Sequence, residues 1–479
     1  MRLDSPHEHV LKEIYDTYSF EVPGARFMKT YKARKWNGTI HLLNYRTRLI
    51  YTGLTNTIIK FARERNYSIE LRDFPEKSKF VIPQSDFILS DGNGNKIEMH
   101  DHQKTAHQFI CQHSRGIILS PTASGKSLII YSTIRERLKV INGKILIIVI
   151  TTSLVEQLYK DFEDYSQFDN TWNNDEMVHR IYQGKEKFDF DKRVVISTYQ
   201  SIVRLDHEYF SQFDMVICDE CHAAKSHSII SIMQNLKNAE YRYGFTGTLQ
   251  DTQVHLLVLT GLFGKTFKTA STQELIDQKK IANLSINAII LRYNDEQSKA
   301  SKKFTYNDEI DFIISNQKRN NFICNLAESL TGNTLILYSY VEKHGNVLKE
   351  LLDVKSKKDI HYIHGKIDTL SREEMRQITE KNNNVIILGS FSILSTGINI
   401  KNLHNIIFAS PSKSKIRILQ SIGRSLRLNS NKSGATIYDI CDDMHYLKSH
   451  TNYSLDHFIE RLKLYQHEEF DYKIHKINF

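Results

Sequence analysis

The stretch GIILSPTASGKSLIIYSTIRERL, residues 116–138, decides the fold of this chain. It opens with an aliphatic run, turns through PTASGKS, and continues with a long apolar segment of helical length. A buried strand followed by a loop and a helix is the unit from which parallel sheets with helices on both faces are built. The loop ends in Lys126 and Ser127 and matches the pattern GxxxxGK[ST], except that Ser120 replaces the first glycine.

Aliphatic runs of the same kind recur along the chain, with amphipathic segments between them. They lie at 116–120, 144–150, 193–198, 215–219 and 243–247, and again at 333–339, 360–365, 384–390, 405–410 and 435–439. Runs of this length between helical segments predict strands that are buried on both faces of a parallel sheet. We therefore predict an α/β protein with two doubly wound parallel-sheet domains in tandem, at 96–270 and 271–450.

The first 95 residues differ from the rest. Four of the six prolines lie there, and the turn-rich sequence DGNGNK closes the segment. Apolar spacing predicts a helix over 54–65, and short strands at 39–43 and 68–71. We predict a small separate N-terminal α+β domain over 1–95.

Seven basic residues and no acidic residue lie between Arg26 and Arg48, interleaved with Phe27, Tyr31 and Trp36. Cations that meet phosphates and rings that stack on bases are typical of nucleic-acid contact surfaces. The alternative, equally weighted, is a pair of strands whose rings pack inward while the cations are merely solvated. The predicted DNA contacts of this basic segment are Arg26, Lys29, Lys32, Arg34, Lys35 and Trp36.

The loop before the helix predicts a nucleotide phosphate site. Backbone N–H groups of such a loop point at the phosphates, and Gly125 lets the backbone approach closely. Lys126 supplies a positive charge to the β and γ phosphates, and Ser127 an oxygen ligand for Mg²⁺. The residues predicted to contact the nucleotide here are Thr122, Ala123, Ser124, Gly125, Lys126 and Ser127.

The sequence VICDECH, residues 216–222, ends an aliphatic run in two adjacent carboxylates. Asp219 is predicted to hold Mg²⁺, and Glu220 to polarise or deprotonate the attacking water. A simple surface turn is the alternative, which the preceding phosphate loop disfavours. Cys218 and Cys221 form a CxxC pair, but the sequence has no second ligand pair at zinc-site spacing.

The sequence QSIGRSLR, residues 420–427, carries Arg424 and Arg427 three positions apart, so that on a helix they share a face. In isolation a solvated helix face would be the simpler interpretation. Arginines that reach the γ-phosphate would instead contribute roughly 10³–10⁵ in rate. Hydrolysis would then depend on closure between the two predicted α/β domains.

The phosphate loop, DECH, FTGT and QxxGRxxR occur in this order, which resembles the superfamily 2 DExH helicases. The resemblance implies two RecA-like domains with ATP and Mg²⁺ as ligands. It implies catalytic roles for Lys126, Asp219, Glu220, Gln420, Arg424 and Arg427. By position in the family motifs it implies nucleotide contacts by Gln103 and Gly397. The resemblance also implies that seven residues line the track of the nucleic-acid strand: Thr151, Thr152, Gln157, Thr198, Thr246, Thr248 and Thr396.

The front sequence GARFMKTYKARKWNGTIHLLNY and the closing DHFIERLKLYQHEEFDYKIHKINF are similar to the phage recombination helicases of this superfamily. That narrower resemblance implies a C-terminal helical extension at 451–479 and an enzyme that remodels branched DNA by fork regression, Holliday junction branch migration, D-loop and R-loop unwinding, and strand annealing. It implies single-stranded and branched duplex DNA as partners. RNA–DNA hybrids and single-strand-binding or recombination proteins are further candidates, and a monomer is favoured. The alternatives are an RNA helicase, and an ATP-driven clamp or motor subunit that translocates without unwinding.

Composition bounds the class of protein. The 479 residues include 64 Lys plus Arg against 55 Asp plus Glu, a net charge of +9, with 40% hydrophobic and 25% charged residues. The longest aliphatic run, 145–150, is far shorter than the ~20 apolar residues of a membrane span. Five cysteines make no disulfide framework. These features exclude a membrane protein, a secreted miniprotein and a disordered chain. They predict a soluble protein of the cytoplasm, or of the host cell cytoplasm if the chain is phage-encoded.

Overall fold

The computed structural model describes residues 1–22, 24–72, 87–182, 186, 188–189, 191–223, 227–249, 253–363, 382–391, 402–411, 434–446 and 452–479. The chain divides into two compact units. The first unit comprises Met1–Ser120 and Lys126–Thr269, and the second comprises Pro121–Gly125 and Ala270–Phe479. No helix among the described residues is both long and apolar enough to cross a membrane.

The helices and strands of the described residues are numbered here in chain order. The helices are α1 (Glu8–Thr17), α2 (Lys29–Lys32), α3 (Thr55–Glu64), α4 (Asp101–Gln112), α5 (Lys126–Arg137), α6 (Thr152–Tyr165), α7 (Asn174–Met177), α8 (Tyr199–Ile202), α9 (His207–Ser211), α10 (His227–Asn235), α11 (Gln253–Phe263), α12 (Thr272–Asp277), α13 (Asp295–Ser301), α14 (Tyr306–Ser315), α15 (Gln317–Ser329), α16 (Asn346–Lys355) and α17 (Tyr453–His467). The strands are β1 (Ser19–Glu21), β2 (Thr39–His41), β3 (Leu43–Asn44), β4 (Leu49–Ile50), β5 (Leu89–Ser90), β6 (Lys96–Ile97), β7 (Arg115–Leu119), β8 (Lys144–Val149), β9 (Val178–Ile181), β10 (Val194–Thr198), β11 (Phe213–Asp219), β12 (Tyr241–Thr246), β13 (Thr266–Lys268), β14 (Asn283–Arg292), β15 (Thr334–Tyr338), β16 (Ile360–Ile363), β17 (Ile386–Ser390), β18 (Asn405–Phe408), β19 (Gly434–Asp443) and β20 (Tyr472–Asn478).

The first unit is built on a parallel sheet with strand order β13-β7-β12-β11-β8-β10-β9. Alternate side chains of β8 enter different cores: Ile145, Ile147 and Val149 pack with residues of α4, α5 and α6. Leu146 and Ile148 pack on the opposite face, with residues of α10 and α11. The sheet is therefore covered on both faces, which is why its strands are aliphatic throughout.

The second unit is built on another parallel sheet, with strand order β16-β17-β15-β18-β19-β14-β20. Two buried ion pairs lie within this unit. The Arg319 guanidinium binds Asp442 with N···O distances of 2.7 and 2.9 Å, and both side chains are fully buried. Arg461, on α17, binds Asp439 of β19 at 2.8 Å. The second pair ties the closing helix to the sheet.

The N-terminal segment shares a buried core with helix α11 of the first unit. Leu54, Ile58 and Phe61 belong to the same buried cluster as Leu259 and Leu262 of α11. Helix α3 confirms the predicted helix over 54–65. The predicted strand at 68–71 is wrong, because the chain there pairs with no strand among the described residues. Its apolar side chains Ile69 and Leu71 are 42% and 51% exposed, so no burial favours an extended pairing.

The predicted fold class is confirmed, and a strand lies in each of the ten aliphatic runs. Four further strands, β9, β13, β14 and β20, complete the two sheets. The closing segment is helical only as far as His467, because β20 then pairs in parallel with β14. The four-part division at 95, 270 and 450 stays a prediction. The boundary between the two compact units falls between Thr269 and Ala270 along the chain.

Candidate active site

Five sequence motifs follow five neighbouring strands of the first sheet. In sheet order β7, β12, β11, β8 and β10 they lie at 120–127, 245–248, 219–222, 150–157 and 197–201. Because the strands are parallel, all five motifs leave the same edge of the sheet. Ligands of open α/β sheets bind at that edge, beyond the carboxyl ends of the strands.

The loop before α5 has the backbone of an anion-binding turn. Ala123 and Gly125 both adopt left-handed conformations, with φ of 67° and 79°. The Ser124 hydroxyl donates to the Pro121 carbonyl at 2.6 Å and folds the loop upon itself. Helix α5 then begins at Lys126, and the first N–H groups of a helix have no partner within it. This arrangement fits a phosphate, and the contacts of Thr122 to Ser127 with nucleotide stay predictions.

Two functional groups of this loop are engaged by neighbouring groups of the protein. The Lys126 ammonium donates to the Ser120 carbonyl at 3.2 Å. The Ser127 hydroxyl lies 2.8 Å from the Tyr165 hydroxyl, at the end of α6. Binding of a phosphate by Lys126, or of a cation by Ser127, must compete with these contacts. Tyr165 carries no motif signal in the sequence, because it lies 38 residues from its partner.

The two predicted carboxylates lie at the end of β11. Glu220 adopts a left-handed backbone, with φ of 52°, and its N–H donates to the Asp219 carboxylate at 3.0 Å. Burial, followed by repulsion from Glu220, raises the pKa of Asp219 well above its ordinary range, and the Lys126 ammonium opposes that shift. A divalent cation would relieve the repulsion. The carboxylates and the Ser127 hydroxyl are the hard oxygen ligands that Mg²⁺ prefers.

His222 lies between the Glu220 carboxylate and the next motif. Nδ1 of His222 lies 3.1 Å from the Glu220 carboxylate and 2.9 Å from the Thr246 hydroxyl. The Thr246 hydroxyl donates its one proton to the Thr248 carbonyl at 2.8 Å, so it must accept from His222. Nδ1 of His222 therefore carries a proton in this arrangement. Sequence analysis assigns no role to His222, although its place as the last residue of DECH is a signal for one.

The predicted adenine contact, Gln103, has a structural role here. Its side-chain oxygen accepts the His100 N–H at 2.8 Å in a capping box at the start of α4, and the residue is buried. Such a cap satisfies backbone groups that the first turn leaves without helical partners. Contact between Gln103 and the nucleotide base stays a prediction.

The predicted track residues of the first unit lie at the same sheet edge. Thr151 caps α6, and its hydroxyl accepts the Leu154 N–H at 3.4 Å. Thr198 ends β10 and directly precedes α8, and its hydroxyl lies 2.9 Å from that of Ser201. Thr152 is exposed and Gln157 is half-buried. Because β8 and β10 are adjacent, these side chains follow neighbouring strands, beside the DECH motif of β11.

The basic segment is not a pair of strands over residues 25–32. Ala25–Phe27 forms a single helical turn, and Lys29–Lys32 forms α2. Phe27 is 82% exposed, so its ring does not pack inward as the strand alternative requires. The Trp36 indole is half-buried and donates to the Thr39 carbonyl at 2.8 Å.

The cations of this segment face solvent. Six of them are exposed and, within the described part of the chain, form no ion pair: Arg26, Lys29, Lys32, Arg34, Lys35 and Arg46. Arg48 differs, because it lies within 4 Å of the Asp4 and Glu8 carboxylates. The solvent-facing group is therefore free to meet phosphates, as an interface with DNA requires.

The remaining predicted site residues are those of the second unit. Gln420, Arg424, Arg427, Thr396 and Gly397 lie outside the described residues. Their roles stay predictions that rest on the sequence motifs.

Three family models match the chain. The model described as DNA helicase UvsW, N-terminal, matches residues 3–72. The model for the Type III restriction enzyme, res subunit, matches 96–251, and the Helicase conserved C-terminal domain matches 317–429. The two helicase-type matches cover the motif-bearing parts of both units.

Comparison with individual proteins also indicates a helicase. The chain is 36% identical to the ATP-dependent DNA helicase uvsW of Enterobacteria phage T4 over 499 aligned residues, which cover 100% of this chain and 97% of that protein. The crystal structure of T4 UvsW matches with a TM-score of 0.51 at 35% identity, over 100% of this chain and 97% of that one.

A more distant match concerns the fold alone. The Type ISP restriction-modification enzyme LlaBIII bound to DNA matches with a TM-score of 0.59 at 15% identity, over 80% of this chain and 32% of that one. The resemblance of the motifs to superfamily 2 helicases, and of both chain ends to the phage enzymes, is confirmed by the full-length relative. The chain belongs to the UvsW family of superfamily 2 DExH helicases and is an ATP-hydrolysing helicase.

Proposed function

We propose that this chain is an ATP-dependent DNA helicase and translocase that remodels branched DNA in recombination, replication and repair. The activities proposed are fork regression, branch migration of Holliday junctions, unwinding of D-loops and R-loops, and strand annealing. One observation carries the proposal: the similarity to a DNA helicase extends over the whole chain. It includes residues 3–72, which lie outside the two sheets that bear the helicase motifs.

Hydrolysis is proposed to follow from the motifs at the strand ends of the first sheet. The loop N–H groups and Lys126 hold the β and γ phosphates of ATP, and Glu220 orients the attacking water. Ser127 and Asp219 are the residues that would hold Mg²⁺, which supplies neutralising charge at the phosphate oxygens when bound. Arg424 and Arg427 are proposed to stabilise the charge that develops during transfer.

Coupling to the strand is proposed to run through the contacts that lead from Glu220 through His222 and Thr246 to Thr248. Loss of the γ-phosphate changes the charge that faces Glu220, and Nδ1 of His222 is hydrogen-bonded to Thr246 and lies 3.1 Å from the Glu220 carboxylate. Thr246 in turn holds the Thr248 carbonyl. A shift at the carboxylate is therefore transmitted to the motif that is expected to touch the strand.

The exposed basic segment is proposed to hold duplex or junction DNA. Its solvent-facing cations supply the sequence-independent contacts, and the exposed ring of Phe27 offers a stacking surface. Deletion of residues 1–95 would uncover the apolar residues of α10 and α11 that share a core with Leu54 and Phe61. Surface substitutions therefore test this role better than truncation does.

The basic segment is tested by replacing Arg26, Lys29, Lys32, Arg34 and Lys35 together with Gln. Each lost phosphate contact lowers the slope of log K against log salt by about 0.9. We expect weaker junction binding with a shallower salt slope, while the basal ATPase is retained. The matched control replaces exposed lysines of the second unit: Lys280, Lys299, Lys303, Lys473 and Lys476. Equal affinity and slope in both variants would contradict the assignment.

The activity itself is tested by steady-state ATPase at one fixed salt concentration. The arms are no nucleic acid, single-stranded DNA, four-way junction DNA, an RNA–DNA hybrid and matched RNA. Stimulation that is greatest with junctions would support remodelling of branched DNA. Stimulation by RNA alone would assign the enzyme to RNA, and turnover indifferent to all five would favour a motor subunit whose partner supplies the coupling.

Partners and location follow from the same proposal. We propose that the enzyme acts as a monomer in the cytoplasm, or in the host cytoplasm if the chain is phage-encoded. Single-strand-binding and recombination proteins are the proposed protein partners. Sedimentation of the purified chain with and without junction DNA tests the monomer, because a second copy would double the sedimenting mass.

A further inference from the structure

A cationic cleft lies in the first unit, away from the ATP motifs. Its volume is about 640 Å³, and it is lined by the hairpin around residues 41–52, the end of α10 and part of α11. Arg115, Lys237 and Arg242 line it, and none of its sixteen lining residues is acidic. Arg115 begins β7 and Arg242 is the second residue of β12, so the cleft lies at the amino ends of these strands.

Two of these three cationic side chains lie side by side. Arg115 and Arg242 are register partners on adjacent parallel strands, so their side chains leave the same face of the sheet. Like charges opposite one another in a sheet are destabilising. Burial lowers the pKa of both guanidinium groups, and Arg115 adds to the effect on Arg242. The nearby Glu240 attracts Arg115 but does not line the cleft.

The two guanidinium groups retain hydrogen-bonding capacity. Arg242 donates to the carbonyls of Ala239, Met233 and Leu236 and so closes the end of α10. Arg115 donates to the Leu262 carbonyl at 3.5 Å. A guanidinium carries five N–H donors, so the two groups together carry ten. The contacts named here use fewer than half of these donors. Lys237 is exposed and forms no ion pair within the described residues.

We propose that this cleft binds a phosphate group carried by a nucleotide, either free or within a nucleic-acid strand. Paired guanidinium groups match phosphate oxygens in geometry and charge. Leu42, Ile50 and Met233 give the same cleft an apolar wall that suits a sugar or base. Its volume lies within the roughly 300–1,000 Å³ of small-molecule sites. The site is separate from the ATP site, which lies at the carboxyl ends of the strands.

Leu49 offers a substitution that adds charge without disturbing the core. It lines the cleft and is 51% exposed. Leu49→Glu places a carboxylate among the cations, and Leu49→Gln places an uncharged side chain of the same size there. Ile69→Glu is a second control, because it adds the same charge outside the cleft at a residue that is 42% exposed. Lys237→Gln removes one cation at the rim.

The experiment measures equilibrium binding by the full-length chain at one fixed salt concentration. The probes are a fluorescent 20-base-pair DNA duplex and thymidine monophosphate. We expect Leu49→Glu to weaken binding about tenfold or more relative to Leu49→Gln and Ile69→Glu, because the new carboxylate repels the phosphate. Lys237→Gln should weaken it less.

The two probes distinguish the source of the phosphate. Weaker binding of the duplex by Leu49→Glu would place a strand in the cleft. Weaker binding of thymidine monophosphate alone would identify a free nucleotide as the ligand. Equal affinities of the Glu and Gln variants of Leu49 for both probes would overturn the proposal. ATPase without nucleic acid should be unchanged in all these variants. If the cleft proposal fails this test, the proposed helicase activity still stands. If the proposed helicase activity fails its own ATPase test, the cleft proposal still stands.

Discussion

Substitution of Thr246 by Val tests whether the contacts that lead from Glu220 to Thr248 transmit hydrolysis to the strand. The change keeps the shape of the side chain and removes only its hydroxyl. That hydroxyl is fully buried, accepts from His222 at 2.9 Å and donates to the Thr248 carbonyl at 2.8 Å. Val leaves both partners without this contact, which costs about 1–3 kcal/mol for buried polar groups.

The same loss sets the expected effect on coupling. A coupling free energy of about 1–3 kcal/mol corresponds to roughly 5–150-fold in the ratio of DNA-stimulated to basal turnover. The basal rate should change much less, because Lys126, Asp219 and Glu220 are all retained. We therefore expect Thr246→Val to hydrolyse ATP without DNA, to respond poorly to DNA, and to unwind poorly.

The assay is steady-state ATPase with and without saturating single-stranded DNA, together with strand separation of a forked duplex. Thr246→Ser keeps the hydroxyl and should restore the stimulation. A double-mutant cycle with His222→Ala should give non-additive losses, because the two side chains are in contact. If Thr246→Val were stimulated and unwound DNA like the wild type, the proposed route of coupling would be refuted.

Four further outcomes follow from the structure. Lys126→Ala should lower ATP hydrolysis by about 10²-fold or more and leave duplex binding intact, and normal turnover would show that the phosphate site is misplaced. Glu220→Gln should retain bound ATP while hydrolysis falls roughly 10²–10⁴-fold, as filter binding and single-turnover assays would report. Arg319→Met leaves the fully buried Asp442 carboxylate without its ion pair, a cost of about 3–5 kcal/mol that should lower the melting temperature by several degrees or more. Burial lowers the pKa of His107 to about 4. The unfolded chain therefore binds more protons than the folded one between about pH 6.5 and 4, and stability should fall by up to roughly 3 kcal/mol across that window. Urea unfolding measures this for the wild type and for His107→Gln. If the reasoning were wrong, the free energy of unfolding would depend on pH equally in both.

The aliphatic runs predict the centre of each sheet but not its margins. β8 is buried on both faces, so its five consecutive buried aliphatic residues, Ile145–Val149, stand out in the sequence. β20 lies at a sheet edge and alternates polar with apolar residues, and most of its side chains are exposed. Its partner β14 lies nearly 190 residues earlier, so no local pattern marks the pairing. Edge strands of this kind are specified by tertiary contacts that short sequence windows do not contain.

The sequence likewise predicts only part of the candidate site. Motif spacing predicts roles for Lys126, Asp219 and Glu220, because phosphate and cation chemistry requires those residue types after a strand. It does not identify Tyr165 or the contact between His222 and Thr246, because those depend on which strands become neighbours. β12 lies between β7 and β11 in the sheet although it follows both in sequence. That inserted strand is what brings the threonine motif next to the carboxylates.

The packing of the N-terminal segment decides how its DNA surface moves. A Cβ added at Gly53 would lie 2.0 Å from the Thr260 carbonyl, and one at Gly261 would lie 2.9 Å from the Tyr51 side chain. Only glycine permits so close an approach of the hairpin region to α11. Because Leu54 also shares the buried core of that helix, the segment is fixed to the unit that carries the ATP motifs. A duplex held by the basic segment would therefore follow every movement of that unit during the ATP cycle. The grip on the duplex would then move together with Lys126, Asp219 and Glu220.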